Sequence, residues 1–328
     1  MNTAPRAMRD SLLECIYLEM GSNKSIFFLS ADFGSPVLDK IREDFPDRFA
    51  NVGVAEQNLI NIAAGLALEG YTVFAYAIAP FITMRCYEQI RVNLALLSQA
   101  RPMNVNLIGV GAGYSYVVSG PTHQCYEDLT IMRALPTMQI LSPSDHVSAA
   151  QLAEYCALNV GPKYLRLDAQ VLPVLYTKNP PDLRDGFSLL RSAGSLCLLS
   201  TGFMTHTALA VAKELESTGI ELAVIDLQFI SGFDEMALVK VLSDYSGLIT
   251  IEEGFKARGG LDAMLSDFLR RHDLDIRLLN LGVRPGYRFD LGSRAELHEQ
   301  VSIGHSSVKF QIKHFAETIF PSALRTTD

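Results

Sequence analysis

The sequence predicts an α/β protein of two domains, a larger one on a mainly parallel sheet and a smaller α/β domain after it. Three observations carry this. Short β-rich runs alternate with helical patterns, the alternation that lays helices over both faces of a parallel sheet. The strand runs are continuously apolar rather than strictly alternating, as expected when both faces are buried. A polar segment bearing Pro173, Pro180 and Pro181 interrupts the pattern once, and the pattern then restarts.

The elements follow in order. Strands are predicted at 26–30, 72–76, 105–110, 138–141 and 163–167, separated by helical stretches near 6–20, 56–69, 81–98, 124–134 and 145–158. The first domain is read as 1–168, the linker as 169–186 and the second domain as 187–328. The second holds strands at 196–200, 222–226, 248–252 and 276–281, with helices near 205–217, 234–244 and 260–271.

Composition narrows the function. A chain of 328 residues suits two ordinary domains, and 48% hydrophobic residues supply a core with apolar surface left for a partner. A net charge of −8 without a basic stripe argues against nucleic acid. The longest apolar run, 72–84, is too short to span a bilayer and contains Pro80, which argues against a membrane role. The N-terminal stretch is polar and is followed by Glu14 and Glu19, unlike a secretory signal. Cys15, Cys86, Cys125, Cys156 and Cys197 form no C-x-x-C pair, which reads as reduced thiols of a cytoplasmic protein. Cys125, two residues after His123, reads as a small semi-buried residue.

The stretch Asn51-Val52-Gly53-Val54-Ala55-Glu56-Gln57-Asn58-Leu59 sets one carboxyl group in an apolar run at a helix start. Desolvation raises the pKa of such a group, so that it can stay protonated and donate. The plainer reading is a glutamate that favours the positive end of the helix dipole. Farther on, Ser119-Gly120-Pro121-Thr122-His123-Gln124 reads as a rigid turn presenting a histidine at a loop–helix junction. Gly109-Val110-Gly111-Ala112-Gly113 lacks the G-x-G-x-x-G spacing of a dinucleotide site, so its glycines read as a close turn beside a ligand.

Together with Tyr87-Glu88-Gln89-Ile90-Arg91, Leu141-Ser142-Pro143-Ser144-Asp145 and Tyr164-Leu165-Arg166-Leu167, these motifs resemble, in order and approximate spacing over 6–168, the pyrimidine-binding part of the transketolase family. A weaker likeness runs to about 313. The resemblance implies a thiamine-diphosphate-binding fold followed by a transketolase C-terminal domain. It implies transfer of a two-carbon ketol unit from a ketose phosphate to an aldose acceptor, the cofactor serving as electron sink. Glu56 falls on the glutamate that donates to N1′ of the aminopyrimidine. His123 falls on the G-P-T-H-Q histidine that helps proton transfer while the carbon–carbon bond is made and broken; the plainer reading is a histidine that ties down its loop. Phe81 and Ile78 match positions packed on the aminopyrimidine, though both also suit ordinary core. Asp32 matches the S-A-D segment at the cofactor edge, or simply caps a loop. Arg166 matches an arginine that holds a sugar phosphate, its plainer reading being a surface ion pair. Arg6 and Ser35 match phosphate-side positions loosely.

Two substitutions and one absence separate the chain from the common pattern. Ser119 stands where the family has an aspartate, and Gly111 where it has a histidine. Losing two polar contacts alters substrate choice, which points to a specialised sugar pathway. The G-D-G motif that holds magnesium is absent, so the resemblance is to the C-terminal half of a split enzyme. The Mg²⁺ ligands are then expected on a separate N-terminal, diphosphate-binding partner subunit, in an α2β2 heterotetramer. The alternatives are a subunit like 1-deoxyxylulose-5-phosphate synthase or a 2-oxo acid dehydrogenase beta chain, a non-catalytic scaffold, and a nucleotide-binding α/β protein. Glu252-Glu253-Gly254 and the turn at Gly259-Gly260 read as structural and interfacial.

Overall fold

The apolar runs of the first half lie side by side as parallel strands. The computed structural model describes residues 4–320. Its first half runs α1 (Met8–Ser22), β1 (Ile26–Ser30), α2 (Pro36–Asp44), β2 (Phe49–Asn51), α3 (Glu56–Leu68), β3 (Thr72–Ile78), a broken helical run over 81–99 that includes α4 (Tyr87–Gln89), β4 (Asn104–Val110), α5 (Asp128–Arg133), β5 (Gln139–Leu141), α6 (His146–Leu158) and β6 (Lys163–Leu167). These strands form a six-stranded parallel sheet in the order β2-β1-β3-β4-β6-β5. One face is covered through Leu59, Ile60 and Ala63 of α3 and Ile82, Ile90 and Leu94 of the broken run. The other is covered through Leu12 and Ile16 of α1 and Leu152 and Cys156 of α6. Because the strands are parallel, β1, β3 and β4 end on the same edge, where ligands bind in such sheets. Asp32, Ile78 and Gly111 follow or end those strands.

The second half adds β7 (Phe187–Arg191), β8 (Leu196–Ser200), α7 (Met204–Glu216), β9 (Leu222–Leu227), α8 (Glu235–Leu242), β10 (Gly247–Phe255), α9 (Leu261–Arg271), β11 (Arg277–Val283), α10 (Arg294–Gln300) and α11 (His305–Ile319). They build a five-stranded sheet in the order β11-β10-β8-β9-β7, parallel except for β7, which runs antiparallel to β9. A buried polar knot joins the halves. Ser144, just before α6, donates to Asp226 Oδ1 at 2.6 Å, and Tyr176 donates to Asp226 Oδ2 at 2.7 Å.

Five elements go beyond those read from sequence: α2, β2, β7, α10 and α11. β2 is three half-exposed residues at a sheet edge, too short to show a period. β7 is likewise an edge strand. The helix expected over 81–98 is not continuous. It winds as π-helix over Phe81–Arg85 and Ile90–Leu96, with Cys86 out of helical geometry at φ −115° and ψ 26°. Such π turns are concentrated at functional sites. Among the described residues no helix is long and apolar enough to cross a membrane.

Glu252, in β10, is buried, with Oε1 accepting from the Asp262 amide at 3.1 Å and Oε2 unpartnered. Burial, then the nearby Asp262 carboxylate, pushes its carboxyl up to about 7. With a folded value above the unfolded one, its stabilisation is full below the unfolded pKa and is lost as pH rises through about 7. The loss at full ionisation is about 3 kcal/mol. Glu252→Gln is therefore expected to raise the melting temperature near about pH 8 and to flatten its decline between acid and neutral pH, as measured by thermal unfolding across pH.

Candidate active site

The carboxyl edge of the first sheet gathers most of the sequence-predicted site. The turn after β2 is clamped by one side chain. Asn51 Oδ1 accepts from the amides of Asp32 and Gly53, each at 3.0 Å, and Asn51 Nδ2 donates to Asp32 Oδ1 at 3.0 Å. Asp32, at φ 53°, and Gly53, at φ 74°, adopt the left-handed backbone that this turn requires. The clamp delivers Glu56 as the first residue of α3, with its side chain 3% exposed.

Both Glu56 oxygens accept from Arg85 Nη1, at 2.7 and 2.8 Å. The same guanidinium lies over the Phe81 ring, 4.4 Å from its centroid. Gln57 holds the Arg85 carbonyl at 3.1 Å. Phe81 in turn meets the His123 ring edge-to-face, with centroids 5.2 Å apart. His123 is held in its tight turn by its amide to the Gly120 carbonyl at 3.1 Å, and its Nδ1 shares a 3.0 Å hydrogen bond with Thr122 Oγ1. Ile78, half-buried at the end of β3, lies three residues before Phe81. Glu56, Arg85, Phe81 and His123 thus form one continuous chain of contacts.

The other candidates fall outside that chain. Arg166 is the clearest correction: it is neither a surface ion pair nor a free phosphate contact. Its Nε donates to Asp128 Oδ2 at 2.7 Å and its Nη2 to the Glu253 carbonyl at 3.1 Å, all inside the protein. β6 is an interior strand, so its arginine is consumed where α5 and the second sheet close over it. Arg6 pairs with Glu14 at 2.8 Å, on the groove between α1 and α6. Ser35 caps α2, accepting from the Val37 amide at 3.3 Å, and donates to Asp10 at 3.2 Å. Asp32 is engaged in the Asn51 clamp. Ser119 is exposed on the loop before His123, and Gly111 sits at φ 106° where that loop leaves β4. Cys125 is fully buried, and burial pushes its thiol up, away from nucleophilic character.

Sequence reasoning missed Arg85 and Tyr116. Arg85 had a signal: it is the only charged side chain between Glu69 and Glu88. Tyr116 lies 6.3 Å from His123, ring to ring, and had none. Among the described residues no group of three or more histidine, cysteine, aspartate or glutamate side chains is placed to hold a metal ion. A buried carboxyl group beside an exposed-edge aromatic ring does fit a flat heteroaromatic ring with a nitrogen at its rim, so this wall suits an aminopyrimidine.

The six-stranded parallel sheet thus carries this wall at its carboxyl edge and is joined to a mixed five-stranded second sheet. The chain belongs to the transketolase family: residues 4–174 match the transketolase pyrimidine binding domain and residues 187–308 the transketolase C-terminal domain. It is 31% identical over 266 residues to an apulose-4-phosphate transketolase subunit of Actinobacillus succinogenes, covering 81% of this chain and 84% of that one. It is 28% identical over 278 residues to the 6-deoxy-6-sulfo-D-fructose transketolase subunit SqwH of a Clostridium species, covering 84% of each. Among solved structures it resembles a split gene transketolase described as an inactive beta4 tetramer, with a TM-score of 0.83 and 28% identity over 96% of this chain and 99% of that one.

Proposed function

We propose that this chain is the beta, C-terminal-type subunit of a split transketolase. It moves a two-carbon ketol unit from a ketose phosphate to an aldose acceptor, in a specialised sugar pathway. The carrying observation is the contact chain Glu56–Arg85–Phe81–His123 at the carboxyl edge of the sheet. Relatives of matching length that are named as subunits acting on unusual sugars support the reading.

Thiamine diphosphate, when bound, would supply the electron sink for breaking and forming the carbon–carbon bond. Glu56 would hold a proton at the pyrimidine nitrogen, Phe81 would stack on that ring, and Ile78 would border it. His123 would hold or move a proton at the substrate oxygen. The Mg²⁺ and diphosphate contacts are assigned to a separate N-terminal subunit, in an α2β2 assembly of the cytoplasm.

Arg85 covers both Glu56 oxygens and one face of Phe81, so a planar ring gains them only when the guanidinium moves aside. Calorimetric titration of thiamine diphosphate with magnesium tests the reading, using the chain alone and the chain with its diphosphate-domain partner. Binding is expected in the pair only, and several-fold tighter with Arg85→Ala than with wild type. No binding by a stable pair would sink the thiamine reading. Weaker binding with Arg85→Ala would instead make Arg85 a holder of the cofactor.

A further inference from the structure

The loop that leaves β4 brings Tyr116 back over its own start. A Cβ placed on Gly111 would overlap Tyr116 Cε2 and come within 2.5 Å of Cδ2, so the tyrosine ring fills the space of any side chain at 111. Glycine there is required twice over, since its φ of 106° disfavours other residues. The same ring stands nearly perpendicular to His123, at 79°.

Behind Tyr116 lies a second phenol. Tyr76, near the end of β3, is fully buried, stacks on Phe33 with centroids 5.0 Å apart, and has the Arg9 side chain at its hydroxyl. The Arg9 guanidinium lies beside both phenols. It is oriented by Asp10, which accepts from Arg9 Nε at 2.7 Å and is itself held by Ser35 at 3.2 Å.

We propose that Tyr116, which stands in for a side chain at 111 beside His123, is the residue that sets substrate choice in this site by reading a hydroxyl group of the sugar chain beyond its reacting carbons. The inference rests on the ketol-transfer reading and deepens it. A hydroxyl-reading pocket penalises substrates that cannot complete its hydrogen bonds. Removing one phenol hydroxyl while keeping the ring costs one such bond, about ten-fold in discrimination.

The test uses the assembled two-subunit enzyme loaded with thiamine diphosphate and magnesium, with hydroxypyruvate as ketol donor. Ribose 5-phosphate and glycolaldehyde are compared as acceptors, because glycolaldehyde lacks the extended chain of hydroxyls. Tyr116→Phe keeps the ring against Gly111 and so preserves the loop. Its ratio of kcat/KM for ribose 5-phosphate to that for glycolaldehyde is expected to fall about ten-fold, carried mainly by KM for ribose 5-phosphate. A structural role would lower both values together, and an unchanged ratio overturns the assignment of Tyr116 while leaving the transferase reading intact. Failure of the cofactor-loaded wild-type complex to use either acceptor overturns both.

Discussion

Glu56→Gln is expected to lower ketol transfer by the assembled enzyme about 10²- to 10⁴-fold while leaving the fold unchanged. Glutamine keeps the volume of glutamate and an oxygen to accept from Arg85, so α3 and the clamp at Asn51 lose nothing they depend on. It cannot give up or take up a proton at the pyrimidine nitrogen. The loss should fall on kcat, with the melting temperature close to wild type and the cofactor still bound at raised concentration. Single-turnover measurement on the purified pair separates the two cases. Near wild-type turnover would remove Glu56 from the chemistry and leave it as the ion partner of Arg85. The magnitude follows from burial: the side chain is 3% exposed, so bulk solvent has little access to relay a proton in its place.

Glu56 was legible in sequence because its signal is local. One carboxyl among apolar neighbours at a helix start is visible in nine consecutive residues, and the structure puts it at the first position of α3. The interior strands were legible for the same reason: burial on both faces writes a continuous apolar run. Arg166 was not legible, because its fate depends on Asp128, 38 residues away, and on a carbonyl of the second sheet. Nothing in Tyr164-Leu165-Arg166-Leu167 records that pairing. Arg85 and Tyr116 are similar cases: the first meets Glu56 across 29 residues, and the second is recognisable only by the space it takes above Gly111. The break at Cys86 was hidden because π and α turns share nearly the same apolar spacing over so short a run.

Arg294→Ala is expected to destabilise the protein by about 3 to 5 kcal/mol, the cost of leaving buried charge without its partner. Arg294 opens α10 and is 6% exposed. Its Nε donates to Glu253 Oε1 at 2.9 Å and its Nη2 reaches Glu253 Oε2 at 2.5 Å and Asp168 Oδ2 at 2.6 Å, while the guanidinium lies 3.6 Å from the Phe203 ring centroid. One cation therefore compensates two buried carboxylates, one from the end of the first sheet and one from the second. Burial alone would push Glu253 up, but Arg294 and His298 beside it outweigh burial and hold its carboxyl well below the usual range. The sign follows: this contribution is present above the unfolded carboxyl pKa and is lost as pH falls toward the depressed folded value. Arg294→Ala should accordingly lower the melting temperature most at neutral pH and least in acid, as differential scanning calorimetry across pH would report. An equal loss at every pH would mean that packing on Phe203, not charge, is what Arg294 contributes. The same cluster reaches the proposed site. Glu253 Oε1 accepts from the Tyr114 amide at 3.4 Å, and a Cβ at Gly113 would overlap the Glu253 carboxylate, so the loop bearing Tyr116 and His123 rests directly on it. Loss of Arg294 should therefore weaken catalysis by loosening that loop. Activity measured well below the lowered melting temperature is then expected to fall for both acceptors together.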